Sequence, residues 1–442
     1  MSEEIAHNLV GGPFAVVESD PGVFTTLIQK LGVHGLEVTE IYDIEPWAVD
    51  HLRPLGLIFC YISSETEESS NDEAYELDDP DARSVWFANQ LSNDACASLA
   101  LLNVLLNCPG VDLGPRLDEF RADTEHMSSV MKGLAVTNAH FLREAHNSLA
   151  RPADIRGATH AAAKSTLESS KRQLSKPPPT KKRKLTIPRK PKPASALAED
   201  APDSYHFIGY VPAHGHVWEL DGLRARVPLD VGALEPTPGP SGSAQPSTDD
   251  WMAVVRPALR MKMARVLGAG ERADIRYNLL ALVRAPYGPA SDALEMRKRE
   301  RAAIERRLGE AFPDGWADKV DPTLLSAADS AFSTTLRPAS YGRVFASDFA
   351  ARKMDRELEI LDMPARRLPS AWEESVRAAL SDKVTVEEEI AKSMNVHTEH
   401  VKRTWDYEPF IRKFVTCLHQ EGLLDRAMSG KSGREDARER DA

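Results

Sequence analysis

The sequence predicts an α/β protein: a core of strands and helices, interrupted by two charged insertions and continued by a largely helical C-terminal extension. Three patterns carry this. SYHFIGYV, from Ser204, and HVWELDGL, from His216, alternate in polarity and are rich in aromatic and β-branched residues. They read as a β-hairpin with Pro212, Ala213, His214 and Gly215 as its turn. Asp94 to Gly110, DACASLALLNVLLNCPG, is apolar nearly all the way round, which predicts a helix buried on every side. From Trp251 onward the pattern is mostly helical. It opens with WMAVVRPALRMKMARVL, passes through a strand candidate at IRYNLLALV, and continues as a charged helical run from Met296 to Leu308.

The size and composition suit folded units joined by linkers. At 442 residues the chain is about three times a ~150-residue single domain. It is 42% hydrophobic and 28% charged, and its 30 prolines and mean hydropathy of −0.38 point to stretches without a core. The net charge of −12 repels nucleic acid and anionic membrane from the chain as a whole. Cys60, Cys96, Cys108 and Cys417 form no CxxC pair and no metal-ligand spacing, so reduced thiols are expected and neither a metal nor a cofactor is called for. No apolar run reaches the ~18 residues that span a bilayer, and MSEEIAHN lacks the pattern of a secretory signal. An intracellular protein without a membrane partner is expected.

Taken in chain order, the first insertion lies between Ser63 and Arg83, where nine acids stand among serines. The helix from Asp94 follows, with Asp94 as N-cap and Cys108-Pro109-Gly110 as stop signal. The second insertion, between Lys164 and Lys192, holds eleven Lys/Arg against Glu168 alone, with prolines at Pro177, Pro178, Pro179, Pro188 and Pro191. Neither insertion can pack a core. Within the second, KKRKLTIPRK reads as a nuclear import signal, a nucleic-acid contact or a spacer. The absence of interleaved aromatics counts against base stacking. Residues 311–370 are weakly patterned. Phe410, Ile411, Phe414, Val415 and Leu418 then recur on one face of a helix that Pro409 can open, and the tail after Met428 is polar.

The chemistry gathers around Cys96. It falls in the first turn of the predicted helix, where the positive end of the dipole lowers a thiol pKa. A lone cysteine in an apolar helix is more often simple core packing. The hairpin supplies the other side of the argument. With a four-residue turn Val211 pairs with His216, and His206 then faces Asp221, which can fix the imidazole tautomer. Those are the base and orienter of a Cys-His-Asp triad, although a core histidine beside a turn aspartate fits the hairpin equally. Gln90, in WFANQLSNDAC, stands just upstream of the helix and offers an amide to an oxyanion. Alone it would read as a surface residue; its company gives it weight.

Gln-x5-Cys opening a helix, then His-x14-Asp on a hairpin, resembles the ubiquitin C-terminal hydrolases, a family of cysteine deubiquitinases. ESDPGVFTTLIQKLG, LRPLGLIFCYI, REAHNSLARP, HFIGYVP and ELDGL extend the resemblance from Phe14 to about Val283. It implies Cys96 as nucleophile, His206 as proton donor and acceptor, Asp221 as orienter and Gln90 as transition-state stabiliser. It also implies a papain-like core, with a central mixed or antiparallel sheet wrapped by helices. Between Asn147 and His206, a 58-residue segment would cross above the active site, its length admitting bulky leaving groups. Glu18 to Phe24 resembles the segment that contacts ubiquitin.

RTWDYEPFIRKFVTCLHQEGLL resembles the C-terminal helical domain of the long-tailed members, of which one kind associates with the proteasome and another with chromatin. Trp405, Asp406, Tyr407, Pro409, Phe410 and Ile411 match that pattern. The implied division is a catalytic domain at 10–285 with disordered insertions at about 63–83 and 157–203, then a helical extension at 290–400. An adaptor-binding domain at 401–428 and a disordered tail at 429–442 complete it. The expected activity is hydrolysis at the C-terminal glycine of ubiquitin, in a protein of the proteasome-associated type found in cytoplasm and nucleus. Its expected partners are ubiquitin, its conjugates and a proteasomal or chromatin adaptor, but not nucleic acid. A ubiquitin-binding scaffold with suppressed catalysis is the competing reading.

Overall fold

The computed structural model describes residues 12–63, 81–174, 204–223, 227–238, 244–246, 250–268, 277–333 and 345–424. The strands are β1 (Leu36–Glu40), β2 (Gly56–Ser63), β3 (Ser204–Ala213), β4 (His216–Asp221), β5 (Leu229–Ala233), β6 (Pro236–Pro238), β7 (Ala244–Pro246) and β8 (Tyr277–Arg284). Six form one sheet in the order β1-β8-β2-β3-β4-β5, every pairing antiparallel, and β6 with β7 forms a separate ribbon. Of the mixed or antiparallel sheet that was expected, the antiparallel form is the one found. The helices are α1 (Pro21–Lys30), α2 (Pro46–Val49), α3 (Cys96–Leu105), α4 (Gly114–Thr124), α5 (Ser129–Asn138), α6 (His140–Asn147), α7 (Pro152–Leu174) and α8 (Trp251–Gly268). They continue as α9 (Tyr287–Ala311), α10 (Pro322–Ala331), α11 (Phe349–Asp362), α12 (Leu368–Thr404) and α13 (Glu408–Gln420).

The central strand β2 explains how the sheet is covered. Ile58 and Cys60 point into a core shared with α1 and α3, whereas Leu57, Phe59 and Tyr61 point into a second core under Trp251, Val255 and Leu259 of α8. A strand buried on both faces needs the unbroken apolar run GLIFCYI instead of alternation. Helix α3 lies inside the first core, and residues Ala97 to Leu105 are all buried, as its all-round apolar sequence predicts. A third core, built by α9, α10, α11 and α12, closes around Trp372, Ile304, Leu308 and Val376. It takes in α10 and α11 from the weakly patterned 311–370 region, whose residues 334–344 lie outside those described.

Several expectations need correction. The hairpin turn has two residues, not four: His214 (φ 53°) and Gly215 (φ 83°) both adopt the left-handed conformation that a type I′ turn requires. Pro212 and Ala213 therefore continue β3, and Ile208, not His206, stands opposite Asp221. Asp94 is not the cap of α3; it belongs to a 3-10 turn, Asn93–Ala95, and no side chain caps the helix that begins at Cys96. The second insertion is helical at its start, because α7 runs to Leu174 and takes in 157–174. Its pattern is largely Ala, Ser and Lys with few breakers, and the prolines begin only at Pro177. Its remainder, 175–203, lies outside the described residues, as does 64–80 of the acidic insertion. Asp81–Ser84 form a 3-10 turn, with Ala82 buried. The polar tail from 425 lies outside them too.

One buried histidine ties α6 to α3 and the N-terminal segment. His146 is fully buried; its Nε2 lies 2.7 Å from the Ala15 carbonyl and so carries the proton, leaving Nδ1 to accept from Ser98 Oγ at 2.7 Å. Burial pushes its pKa down to about 4, with the Ala15 bond opposing. The unfolded chain binds a proton at about 6.5 that the folded chain refuses until about 4. Stability is then full above pH ~6.5 and falls by about 3 kcal/mol as the pH drops to ~4. Denaturant midpoints measured across pH 4–7 should show this loss, and His146→Gln should flatten the curve while lowering stability at neutral pH.

Candidate active site

Cys96 is the first residue of α3, and its neighbours oppose the lowering of its pKa expected from the dipole. The side chain is half-buried, and desolvation pushes the thiol up to about 12. The Ala97 N–H pulls it down, while Cys60 and Asp94 push it further up. The resting thiol is therefore protonated. Cys60 sits opposite Phe207 in the β2–β3 pairing, so the thiol lies near the stretch of β3 that carries His206.

His206 is buried, with Nε2 2.9 Å from Oδ1 of Asp221. The diagonal register does not prevent this bond, because residues on the same face two positions out of step remain within reach of an imidazole. Tyr61, directly opposite His206, meets the ring edge-on with centroids 5.4 Å apart. Asp221 Oδ1 also accepts from the Leu223 N–H at 3.0 Å. Burial raises the Asp221 carboxyl, but the His206 bond and charge, the Leu223 N–H and Lys262 outweigh it and hold the pKa below the usual range. The carboxylate thus engages Nε2 and leaves Nδ1 as the ring nitrogen available to a thiol. Among the described residues no hydrogen bond joins Cys96 to His206.

Gln90 reaches the same place from the other side. Its backbone N–H donates to the carbonyl of Gly222, the residue after Asp221, at 2.6 Å. Gly222 was not singled out from the sequence, yet a Cβ there would come within 2.6 Å of Leu99 Cδ2 and 3.3 Å of Gln90 Cβ. Gly133 of α5 closes on the preceding residue, where a Cβ would lie 2.1 Å from the Asn89 carbonyl oxygen. Both positions need glycine for close approach, a demand that the glycines in ELDGL and MKGLA carry without announcing it. The fold therefore brings His206, Asp221 and the Gln90 backbone together, and sets Cys96 six residues beyond Gln90. Among the described residues no group of three or more His, Cys, Asp or Glu could hold a metal ion, and no helix is long and apolar enough to cross a membrane.

A cysteine opening a buried helix beside a histidine held by a carboxylate is the equipment of a thiol peptidase. Comparison with known proteins narrows the class. Residues 14–264 match the model of ubiquitin carboxyl-terminal hydrolase, family 1, and residues 383–424 match a second model, ubiquitin carboxyl-terminal hydrolases, over the end of α12 and α13. The chain belongs to the ubiquitin carboxyl-terminal hydrolase family, a family of cysteine deubiquitinases, and is of its long-tailed type.

Among curated relatives, ubiquitin carboxyl-terminal hydrolase isozyme L5 of Dictyostelium discoideum is 29% identical over 298 residues, covering 67% of this chain and 69% of the relative. Ubiquitin carboxyl-terminal hydrolase BAP1 of Danio rerio is 34% identical over 295 residues, covering 65% of this chain but only 33% of the relative. Among solved structures, the catalytic domain of Trichinella spiralis UCH37 bound to ubiquitin vinyl methyl ester is similar to 63% of this chain. That match covers 98% of the solved chain at 30% identity, with a TM-score of 0.42.

Proposed function

We propose that this chain hydrolyses thioester, amide and isopeptide bonds at the C-terminal glycine of ubiquitin, with Cys96 as nucleophile. The observation that carries the reading is the 2.9 Å bond between His206 Nε2 and Asp221, which leaves Nδ1 to take the thiol proton. The thiolate attacks the glycine carbonyl, and the Gln90 amide donates to the oxygen that becomes negative. His206 returns its proton to the departing amine, leaving a thioester on Cys96. Water, deprotonated by His206, then releases ubiquitin. Because the resting thiol is high in pKa and not bonded to His206, substrate binding must bring the two together before the first step. Hydrolysis of ubiquitin carrying a C-terminal fluorogenic amide tests the reading, and turnover that does not need Cys96 would refute it.

The C-terminal region serves as the adaptor-binding part of this proposal. Phe410, Ile411, Phe414 and Val415 of α13 are 67%, 55%, 54% and 42% exposed, so the apolar face that the sequence places on one side of the helix is open to a partner. The partner in this proposal is a proteasomal adaptor, with a chromatin one as the alternative, and the enzyme acts in ubiquitin-dependent protein catabolism in cytoplasm and nucleus. The same part touches the catalytic unit: Arg403 bonds Glu18 at 2.9 Å and Arg156 of α7 pairs with Glu408 at 2.7 Å. Glu18 opens the segment assigned to ubiquitin contact. The division at 10–285, 290–400 and 401–428 is retained as part of the proposal, with α12 running continuously through position 400.

A further inference from the structure

The segment that carries Gln90, residues 86–90, lies outside both sheets, yet Trp86, Phe87, Ala88 and Asn89 are buried. A buried backbone needs partners for its N–H and C=O groups. Two side chains of α3 and its C-terminal turn supply them. Asn107 accepts from the Trp86 N–H and donates to the Trp86 carbonyl, both at 2.8 Å. One turn earlier, Asn103 accepts from the Ala88 N–H at 2.9 Å and donates to the Ala88 carbonyl at 3.2 Å. Each carboxamide does what a neighbouring strand residue would do, and the two-residue interval continues at Gln90, whose N–H donates to Gly222. The i, i+4 spacing of Asn103 and Asn107 places both amides on one side of the helix, where they can follow the chain alongside. Asn103 is fully buried in a helix whose other residues are mostly apolar, a place where an amide without partners would be costly.

We propose that Asn103 and Asn107 are positioning residues that register the oxyanion donor against the nucleophile. Cys96 opens the same helix, roughly 10 Å of rigid helix from Asn103. The distance from thiol to donor is then set by that helix and the two amide clamps, and not by the intervening residues 91–95. The proposal rests on the reading of Gln90 as the oxyanion donor. Loss of a clamp lets the 86–90 segment move, and displacement of a preorganised donor by about 1 Å is enough to cost rate while leaving substrate binding in place.

The test uses the full chain, ubiquitin bearing a C-terminal fluorogenic amide, and the variants Asn103→Leu, Asn107→Ala, Gln90→Ala and the Asn103→Leu/Gln90→Ala pair. Asn103→Leu should lower kcat about 10- to 100-fold with KM within about threefold, and Cys96 should react with iodoacetamide within about twofold of wild type. In the Gln90→Ala background the same substitution should cost nothing further, because the donor it positions is gone. Asn103→Asp, which keeps shape and acceptor but loses the donor, carries the same comparison if the leucine variant does not fold. A kcat within about twofold of wild type for the folded Asn103 and Asn107 variants would overturn the proposal, as would an equal loss in both backgrounds. Gln90→Ala with wild-type kcat would instead overturn the donor reading and this proposal together. An impaired Gln90→Ala with multiplying losses would overturn the positioning role alone.

Discussion

Cys96→Ala should abolish turnover, with a loss of about 10⁵–10⁶-fold in kcat against a ubiquitin C-terminal amide and little change in ubiquitin affinity. The side chain is half-buried at the first position of α3, and alanine is a good helix former, so the fold has no reason to respond. Cys60 and Cys108 cannot substitute. Both are buried in the core, whereas Cys96 is half-buried, and Cys108 bonds the Val104 carbonyl at 3.3 Å. Measured turnover at the detection limit, with ubiquitin binding retained by titration, is the expected result. Residual hydrolysis beyond a trace would place the nucleophile elsewhere.

The second large effect belongs to His206, and its signature is a change in pH dependence as well as in rate. Because burial pushes the resting thiol up to about 12, few molecules carry a thiolate at neutral pH without a base to take the proton. His206→Ala should therefore lower kcat about 10⁴-fold, at the upper end of what a general base supplies. The residue that remains should depend on free thiolate. The sign follows from the raised pKa: below it, each unit of pH multiplies thiolate tenfold, so the variant's residual rate should climb with a slope near one from pH 7 to 10. The wild-type profile should lack that slope, because its His206 takes the thiol proton directly. Stopped assays across that range separate the two shapes, and a variant that keeps a flat profile would mean that His206 is not the base.

The parts of this fold that repeat a simple period were legible in the sequence. Helix α3 is apolar all round and buried all round, and the strand candidate at IRYNLLALV became β8. What misled was punctuation. Pro212 looked like the start of a turn, but a two-residue turn needs positive φ at His214 and Gly215 only, and histidine is a residue that tolerates it. The pairing slipped by two residues, both gained by β3, and His206 met Asp221 on a diagonal. The thiol environment was illegible for a different reason. A dipole argument sees the first turn of a helix, while desolvation depends on everything packed above it, and the charges of Cys60 and Asp94 push the thiol in the same direction.

The clamp by Asn103 and Asn107 left a trace that could have been read, since two amides one turn apart in an otherwise apolar helix are expensive to bury without partners. What no periodicity could give was the identity of those partners, which are backbone groups some fifteen to twenty-one residues earlier in the chain. Residues 311–370 resisted for a related reason. The two short helices found there bury little on their own, and α11 contributes only Phe349 and Ile360 as buried residues. Their place is set by the third core that forms around Trp372 of α12, whose indole N–H donates to Glu305 of α9 at 3.0 Å.

The most direct test of the central claim is covalent capture. The purified 442-residue chain is mixed with ubiquitin that carries a C-terminal electrophile, and intact mass and peptide mapping locate the adduct. The geometry of Cys96, His206, Asp221 and Gln90 predicts one ubiquitin per chain, attached at Cys96 and absent from Cys96→Ala. An adduct that survives in Cys96→Ala, or a folded wild-type protein that takes up no ubiquitin, would contradict it.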